Sequence, residues 1–332
     1  MATRRLHPRR HRALTHHLVA GGGGFVGSHL VDLLLARGDT VTIVDNFVTG
    51  RRSNIAHLAG DKRAKVIEHD VTKPFPKSVS TGRYDTVLDL ASPASPDDFK
   101  TMPLEILAVG STGTRNLLDL AVAQQARFFL ASTSEVYGDP LVHPQPETYW
   151  GNVSSTGPRS CYDEAKRFSE ALTMAYHRTR RLDVRIARIF NTYGERMRPR
   201  DGRVVNTFVR QALRNEPLTL HGDGLQTRSF CHVTDEIAGL AAVLDGHLIQ
   251  PINVGNPNEF TMLELARLVV ELTNSSSPIV TVEMPAERDG DPMQRCPDIA
   301  LVRDNYGWEP TVSLRDGLTR MIDWFRTRED LT

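Results

Sequence analysis

The chain has 332 residues, enough for two lobes around a large buried core. Forty basic residues balance forty acidic ones, so no global field draws in nucleic acid or a membrane surface. No window approaches the roughly 18 apolar residues of a membrane span. Cys161, Cys231 and Cys296 share no metal-ligand spacing and make no disulfide framework. No metal is therefore expected, and the setting is read as reducing and cytoplasmic.

Residues 1–15 carry Arg4, Arg5, Arg9, Arg10 and Arg12 with no apolar run behind them, and read as a disordered basic leader. "HHLVA" then predicts a strand, "FVGSHLVDLLLARG" a helix closed by Gly38, and "TVTIVD" a second strand. "AKVIEHD" and "YDTVLDLA" are the next two strands, "PLEILAVGSTGTRNLLDLAVAQQ" predicts one long helix over 103–125, and "ARFFLAST" is the strand that delivers Thr133. A further helix, "PRSCYDEAKRFSEALTMAYHRTR", precedes the strand "DVRIARIF". Such alternation implies an α/β fold, a doubly wound parallel sheet of Rossmann type, over residues 16–190. Beyond residue 191 the pattern is irregular, with amphipathic helices in "MLELARLVVELT" and "LRDGLTRMIDWFRT". Residues 191–330 read as a smaller lobe, some of whose segments return to the sheet.

Gly21, Gly24 and Gly27 lie between the first strand and the first helix. Glycines alone are weak evidence, but this context is that of a dinucleotide site. The first permits the tight turn, the second lets backbone approach a pyrophosphate, and the third allows close helix–strand packing. The helix N-terminus adds N–H donors. Asp45, at the end of "TIVD", is placed to accept from ribose hydroxyls and to disfavour a 2′-phosphate. NAD is the expected cofactor, with Arg51 and Arg52 keeping NADP open. Asp70, ending the third strand, is placed to meet adenine.

Tyr162 and Lys166 are four apart in a helical stretch and share one face. A phenol with a pKa near 10 is a poor base at neutral pH, and an adjacent ammonium lowers that value. Tyr162 is then expected to deprotonate a substrate alcohol while its hydride leaves for NAD. Lys166 holds the nicotinamide ribose, and Thr133 bonds the reacting oxygen.

With these pieces the chain resembles the extended short-chain dehydrogenase/reductases that act on nucleotide sugars, and among them the UDP-glucuronate decarboxylases. The resemblance runs from about residue 17 to 328 through "GGGGFVGSHL", "VDNFVTGRRSN", "HDV", "LASPASP", "ASTSEVYGDP", "HPQPETYWGNV", "GPRSCYDEAKR", "ARIFNTYGERM", "DGRVVNTFV", "GDGLQTRSF", "NVGNP" and "CPDI". It implies cofactor contacts at Phe25, Val26, Asn46, Thr49, Gly50, Val71, Leu90, Ala91 and Ser92. For the UDP-sugar it implies Asn191, Arg203, Val205, Gln226 and Arg228, with Arg295 near the sugar carboxylate. Similar 4,6-dehydratases carry Thr-Asp-Glu where this chain has Thr133, Ser134 and Glu135. Decarboxylases carry Thr-Ser-Glu, because loss of carbon dioxide needs no acid to expel a hydroxyl. The implied course is oxidation at C4, loss of carbon dioxide from the 4-keto sugar and return of the hydride, with Glu135 orienting the ring or relaying a proton to C5. The resemblance also implies a homodimer through the helices at 103–125 and 159–180.

The chain departs from this pattern at Ala108, where a lysine near the substrate is usual, at Gly110 for asparagine, at Asp89 for histidine and at Cys296 for a basic residue. A UDP-sugar 4-epimerase, a 4,6-dehydratase of the same fold and a non-catalytic NAD-binding relative are the competing readings.

Overall fold

The computed structural model describes residues 14–283 and 294–328, so most of the expected basic leader lies outside the described residues. The β-branched runs of the first half form strands β1 (His16–Ala20), β2 (Thr40–Asp45), β3 (Ala64–Glu68), β4 (Thr86–Asp89), β5 (Arg127–Thr133) and β6 (Val184–Ile189). A seventh, β7 (Pro251–Val254), comes from the C-terminal half and pairs with β6. The order is β7-β6-β5-β4-β1-β2-β3, with every ladder parallel.

Helices of ten residues or more are α1 (Phe25–Ala36), α2 (Thr114–Gln124), α3 (Ser160–Arg180), α4 (Val204–Leu213), α5 (Val233–Asp245), α6 (Met262–Thr273) and α7 (Leu314–Arg326). Successive strand residues point to opposite faces. Val19, Ile43, Phe129 and Ile252 therefore pack with Leu30 and Leu34 of α1 and Ile237 and Leu240 of α5. Their neighbours Leu18, Val44, Phe128 and Ile186 meet Leu117, Leu118 and Ala121 of α2 on the other face. A separate core in the C-terminal half joins Phe208 of α4, Leu265 and Val269 of α6, and Leu318 and Met321 of α7. Strand order reverses between β1 and β4, and a crevice opens outside their carboxyl ends, the usual ligand position in such sheets.

One predicted element differs. Instead of a single helix over 103–125, a short helix (Pro103–Ala108) leads into a π-helical turn (Val109–Gly113) and then α2. The cause is a close crossing with α3. A Cβ at Gly110 would lie 2.7 Å from that of Ala165, and Ser169 Oγ donates to the Gly110 carbonyl at 2.8 Å. The widened turn admits the neighbouring helix, as single π turns do.

Gly110→Ala should therefore destabilise the fold by about 1–3 kcal/mol through overpacking. Adding Ala165→Gly should recover part of that loss, because the nearest opposing atom is removed. Urea unfolding of both single variants and the double variant measures the coupling, and additive effects would refute the contact.

Candidate active site

The glycine turn is built by steric necessity. Gly21 has φ +79° and donates its N–H to the Val44 carbonyl at 2.9 Å. A Cβ on Gly21 would meet the Leu90 carbonyl oxygen at 2.6 Å, and one on Gly27 the Gly21 oxygen at 2.1 Å. Gly24 is the N-cap of α1 without a side-chain cap, and the first turn, with Phe25 and Val26, holds no acid. Its amides are left for an outside anion.

Asp45 ends β2, buried, with its two oxygens accepting from the Gly23 and Phe47 N–H groups at 2.8 Å each. Burial nonetheless raises its carboxyl pKa. Each oxygen keeps a second lone pair for a ribose hydroxyl. A Cβ at Gly50 would come within 2.7 Å of Asp45 Oδ1, so glycine keeps this edge open. Gly21, Gly24, Asp45, Asn46, Thr49, Gly50, Asp70, Val71, Leu90, Ala91 and Ser92 line one cavity of about 410 Å³. The bare helix start and this cradle fit the adenosine and pyrophosphate of a dinucleotide. Asp70 Oδ1 accepts from the Thr72 N–H and hydroxyl at 2.9 and 2.8 Å. Ala108 also lines this cavity, on the cofactor side and away from Arg228 and Arg295.

The same crevice continues past Phe25, Val26 and Gly27 to Thr133, Ser134, Glu135, Tyr162 and Lys166. Thr133 is the last residue of β5, and its hydroxyl caps a short turn by accepting from the Glu135 N–H at 3.3 Å. Tyr162 and Lys166 lie on the first turns of α3, both buried. The Tyr162 ring stacks on Phe99, centroids 4.9 Å apart and planes 19° apart. The expected lowering of the Tyr162 pKa by Lys166 is not what the geometry gives. Burial, reinforced by the nearby Glu135 charge, pushes the phenol up to about 12, against smaller lowering contributions from Arg203 and a hydrogen bond with Thr133. Lys166 Nζ donates instead to the Ala131 carbonyl at 3.0 Å. Its pKa is lowered by burial, opposed by Asp89. Asp89 is itself buried and accepts from the Thr114 hydroxyl at 2.9 Å.

Beyond Tyr162 the crevice widens to a chamber of about 430 Å³ lined by Asn191, Arg203, Val205, Gln226, Arg228 and Arg295, with Glu135 at its inner wall. Arg203 Nη2 donates to the Ala94 carbonyl at 2.9 Å, Gln226 Nε2 to the His221 carbonyl at 3.1 Å, and Arg228 Nη1 to the Thr227 carbonyl at 2.8 Å. Every site residue expected from the sequence thus lines one continuous crevice.

The structure adds two residues that the sequence reading missed. Arg295 grips Glu135 with both terminal nitrogens, one of them at 2.8 Å, and Arg159 Nη2 joins from the other side at 2.6 Å. Burial pushes the Glu135 carboxyl up, but the two guanidiniums outweigh it and hold the group well below the usual carboxylate range. Asp163 is buried beside this cluster, and its Oδ1 has no hydrogen-bond partner among the described residues. Burial, and then Glu135, push its carboxyl up to about 7. Arg159 sits just before the Tyr162 segment, but nothing in its spacing marks an ion-pair partner.

The raised Asp163 carboxyl has a stability consequence. Its unfolded form ionises near pH 4, whereas the folded form resists until about pH 7. The Asp163 contribution to stability is therefore most favourable at low pH and is lost as pH rises through this window. Asp163→Asn should unfold at higher urea than the parent at pH 8, with the difference shrinking towards pH 4. A difference that does not change with pH would refute the assignment.

Comparison with known proteins agrees with this geometry. Residues 18–321 match the GDP-mannose 4,6 dehydratase family. The chain is similar to UDP-glucuronic acid decarboxylase 2 of Arabidopsis thaliana, 54% identical over 311 residues, covering 94% of this chain and 68% of that protein. Among solved structures it resembles a dTDP-glucose 4,6-dehydratase from Streptomyces venezuelae, solved with NAD, at TM-score 0.85 and 29% identity, covering 96% of this chain and all of that one (100%). It also resembles a UDP-glucuronic acid 4-epimerase from Bacillus cereus, solved with UDP-glucuronic acid and NAD, at TM-score 0.81 and 28% identity, covering 94% and 99% of the two chains. The chain belongs to the GDP-mannose 4,6-dehydratase family and, within it, to the UDP-glucuronic acid decarboxylases.

Proposed function

We propose that the chain decarboxylates UDP-glucuronate to UDP-xylose, with NAD held in the glycine-lined crevice and regenerated in each turn. The observation that carries this reading is the position of Tyr162 between the dinucleotide cradle and a chamber lined by Arg203, Arg228 and Arg295. Guanidinium forks match diphosphate and carboxylate oxygens. Asp45 would receive the adenosine ribose, and the N-terminus of α1 the pyrophosphate. NAD, when bound, supplies the acceptor and later the donor of the C4 hydride.

Tyr162 Oη takes the proton of the C4 hydroxyl and gives it back when the sugar is reduced. Its high pKa means that the phenolate needs positive charge nearby; Arg203 supplies some, and buried Lys166 lines the same crevice. Once C4 is a ketone, the C6 carboxylate is β to it, and carbon dioxide leaves with its electrons flowing to the C4 oxygen. The Thr133 hydroxyl and Tyr162 steady that oxygen. Glu135, held as a carboxylate by Arg159 and Arg295, is suited to orient ring hydroxyls and poorly suited to give up a proton near neutrality. Ser134 brings no acid that could expel a hydroxyl, which argues against dehydration. Arg295 lines the chamber with both terminal nitrogens on Glu135, and its charge favours the C6 carboxylate there.

We also propose a homodimer. Leu107 on the Pro103–Ala108 helix and Phe168 on α3 are 41 and 49% exposed, on two helices that pack together. No helix among the described residues is long and apolar enough to cross a membrane, and a cytoplasmic setting is the reading we favour.

Proton NMR of the purified protein with UDP-glucuronate tests the main reading. UDP-xylose and carbon dioxide should form without net NADH, whereas UDP-galacturonate alone would make the chain an epimerase. Tyr162→Phe should lower kcat by about 10²–10⁴-fold with NAD still bound, and near-normal turnover would sink the assigned base. Arg295→Ala should weaken UDP-glucuronate binding more than UDP binding, and equal losses would remove its carboxylate role. Sedimentation of a Leu107→Glu, Phe168→Glu double variant should show monomers, and an unchanged dimer would place the interface elsewhere.

A further inference from the structure

His143, Glu259 and Cys296 come from three distant segments, which is why cysteine spacing pointed to no metal. In the structure their donor atoms all lie within 4.8 Å of one another. His143 Nε2 and the Glu259 carboxylate are 2.8 Å apart and partly exposed. Cys296 is buried beneath them, its thiol donating to the Pro257 carbonyl at 3.2 Å.

We propose that Cys296 Sγ, His143 Nε2 and a Glu259 oxygen form a binding site for a divalent cation of zinc's class, with water as the fourth ligand. The donors are the sulfur, nitrogen and oxygen that zinc accepts. One thiolate and one carboxylate neutralise its charge. Zinc–ligand bonds of 2.0–2.3 Å in a tetrahedron bring ligand atoms to about 3.3–3.6 Å of each other. The His143–Glu259 hydrogen bond, at 2.8 Å, has to open slightly to reach that spacing, and these two side chains, both partly exposed, have room to shift towards the buried sulfur. Outer partners are in place: the Thr227 hydroxyl donates to Glu259 Oε1 at 2.7 Å, and the Cys296 N–H donates to Gln145 Oε1 at 2.9 Å. Binding replaces the thiol proton, which passes to solvent, with a sulfur–metal bond. Burial and the charges of Glu259 and Asp298 push the free thiol up to about 12, so the cation must displace a tightly held proton.

The site would also brace the chamber. Cys296 follows Arg295 directly, and Glu259 lies on a strand paired with Thr227–Ser229, which carries Arg228. A cation there would tie the two segments that present these arginines.

Cobalt(II) titration of chelator-treated full-length protein tests the assignment. One equivalent should give a tetrahedral spectrum with a thiolate-to-cobalt charge-transfer band, and zinc should abolish it by competition. Cys296→Ser should lose the band. His143→Ala, at an exposed position that does not threaten folding, should weaken cobalt binding at least ~10-fold. Absence of the band in the parent chain overturns the site. So does a band that persists in Cys296→Ser, which would trace to Cys161 or Cys231, or unchanged affinity in His143→Ala.

Discussion

Glu135 lies between two guanidiniums, and its grip by Arg159 and Arg295 joins three separate parts of the molecule: the end of β5, the approach to α3 and the segment that follows residue 293. Buried charges are costly unless paired, and taking one partner from such a cluster costs about 3–5 kcal/mol. The cluster carries a net positive charge at the inner wall of the sugar chamber. It therefore holds Glu135 as an acceptor and leaves the chamber attractive to an anion, while burial, and after it the Glu135 charge, raises the cost of ionising Asp163 and Tyr162. The two sides of the crevice are linked electrostatically through this one carboxylate.

The sheet supplies the rigid frame. β5 ends at Thr133, and α3 crosses close by so that Tyr162 and Lys166 reach the same point. That crossing depends on the small residues Gly110 and Ala165. Positions on helices and strand ends are held more tightly than positions on loops, which suits a reaction needing one proton moved at one atom.

Much of this was legible in the residues. The strands β1 to β6 follow from short β-branched runs, and the dinucleotide turn from Gly21, Gly24, Gly27 and Asp45 in their strand–helix context. Tyr162 and Lys166 follow from helical spacing. What was not legible is what long-range contact decides. The π turn at Val109–Gly113 depends on Ala165, more than fifty residues away. Arg159 resembles any arginine in a loop until Glu135 is placed beside it. Ala108 reads in sequence as a lost substrate contact, whereas its cavity is the one framed by Asp45 and Asp70. The environment of Tyr162 also differs from the simple picture of a phenol beside an ammonium, because Lys166 bonds Ala131 while burial dominates.

The edge strand β7 has a consequence for how the molecule is made. Its partner β6 is translated long before Pro251–Val254 and the helix α5 that precedes it. Until those residues leave the ribosome, the backbone groups along one side of Val184–Ile189 have no strand beside them, and the apolar face that α5 covers is bare. An unpaired edge of this kind is a site for wrong pairing with another chain. Truncated or stalled products ending before residue 251 would thus be prone to aggregate, and the nascent chain is most in need of a chaperone over that interval.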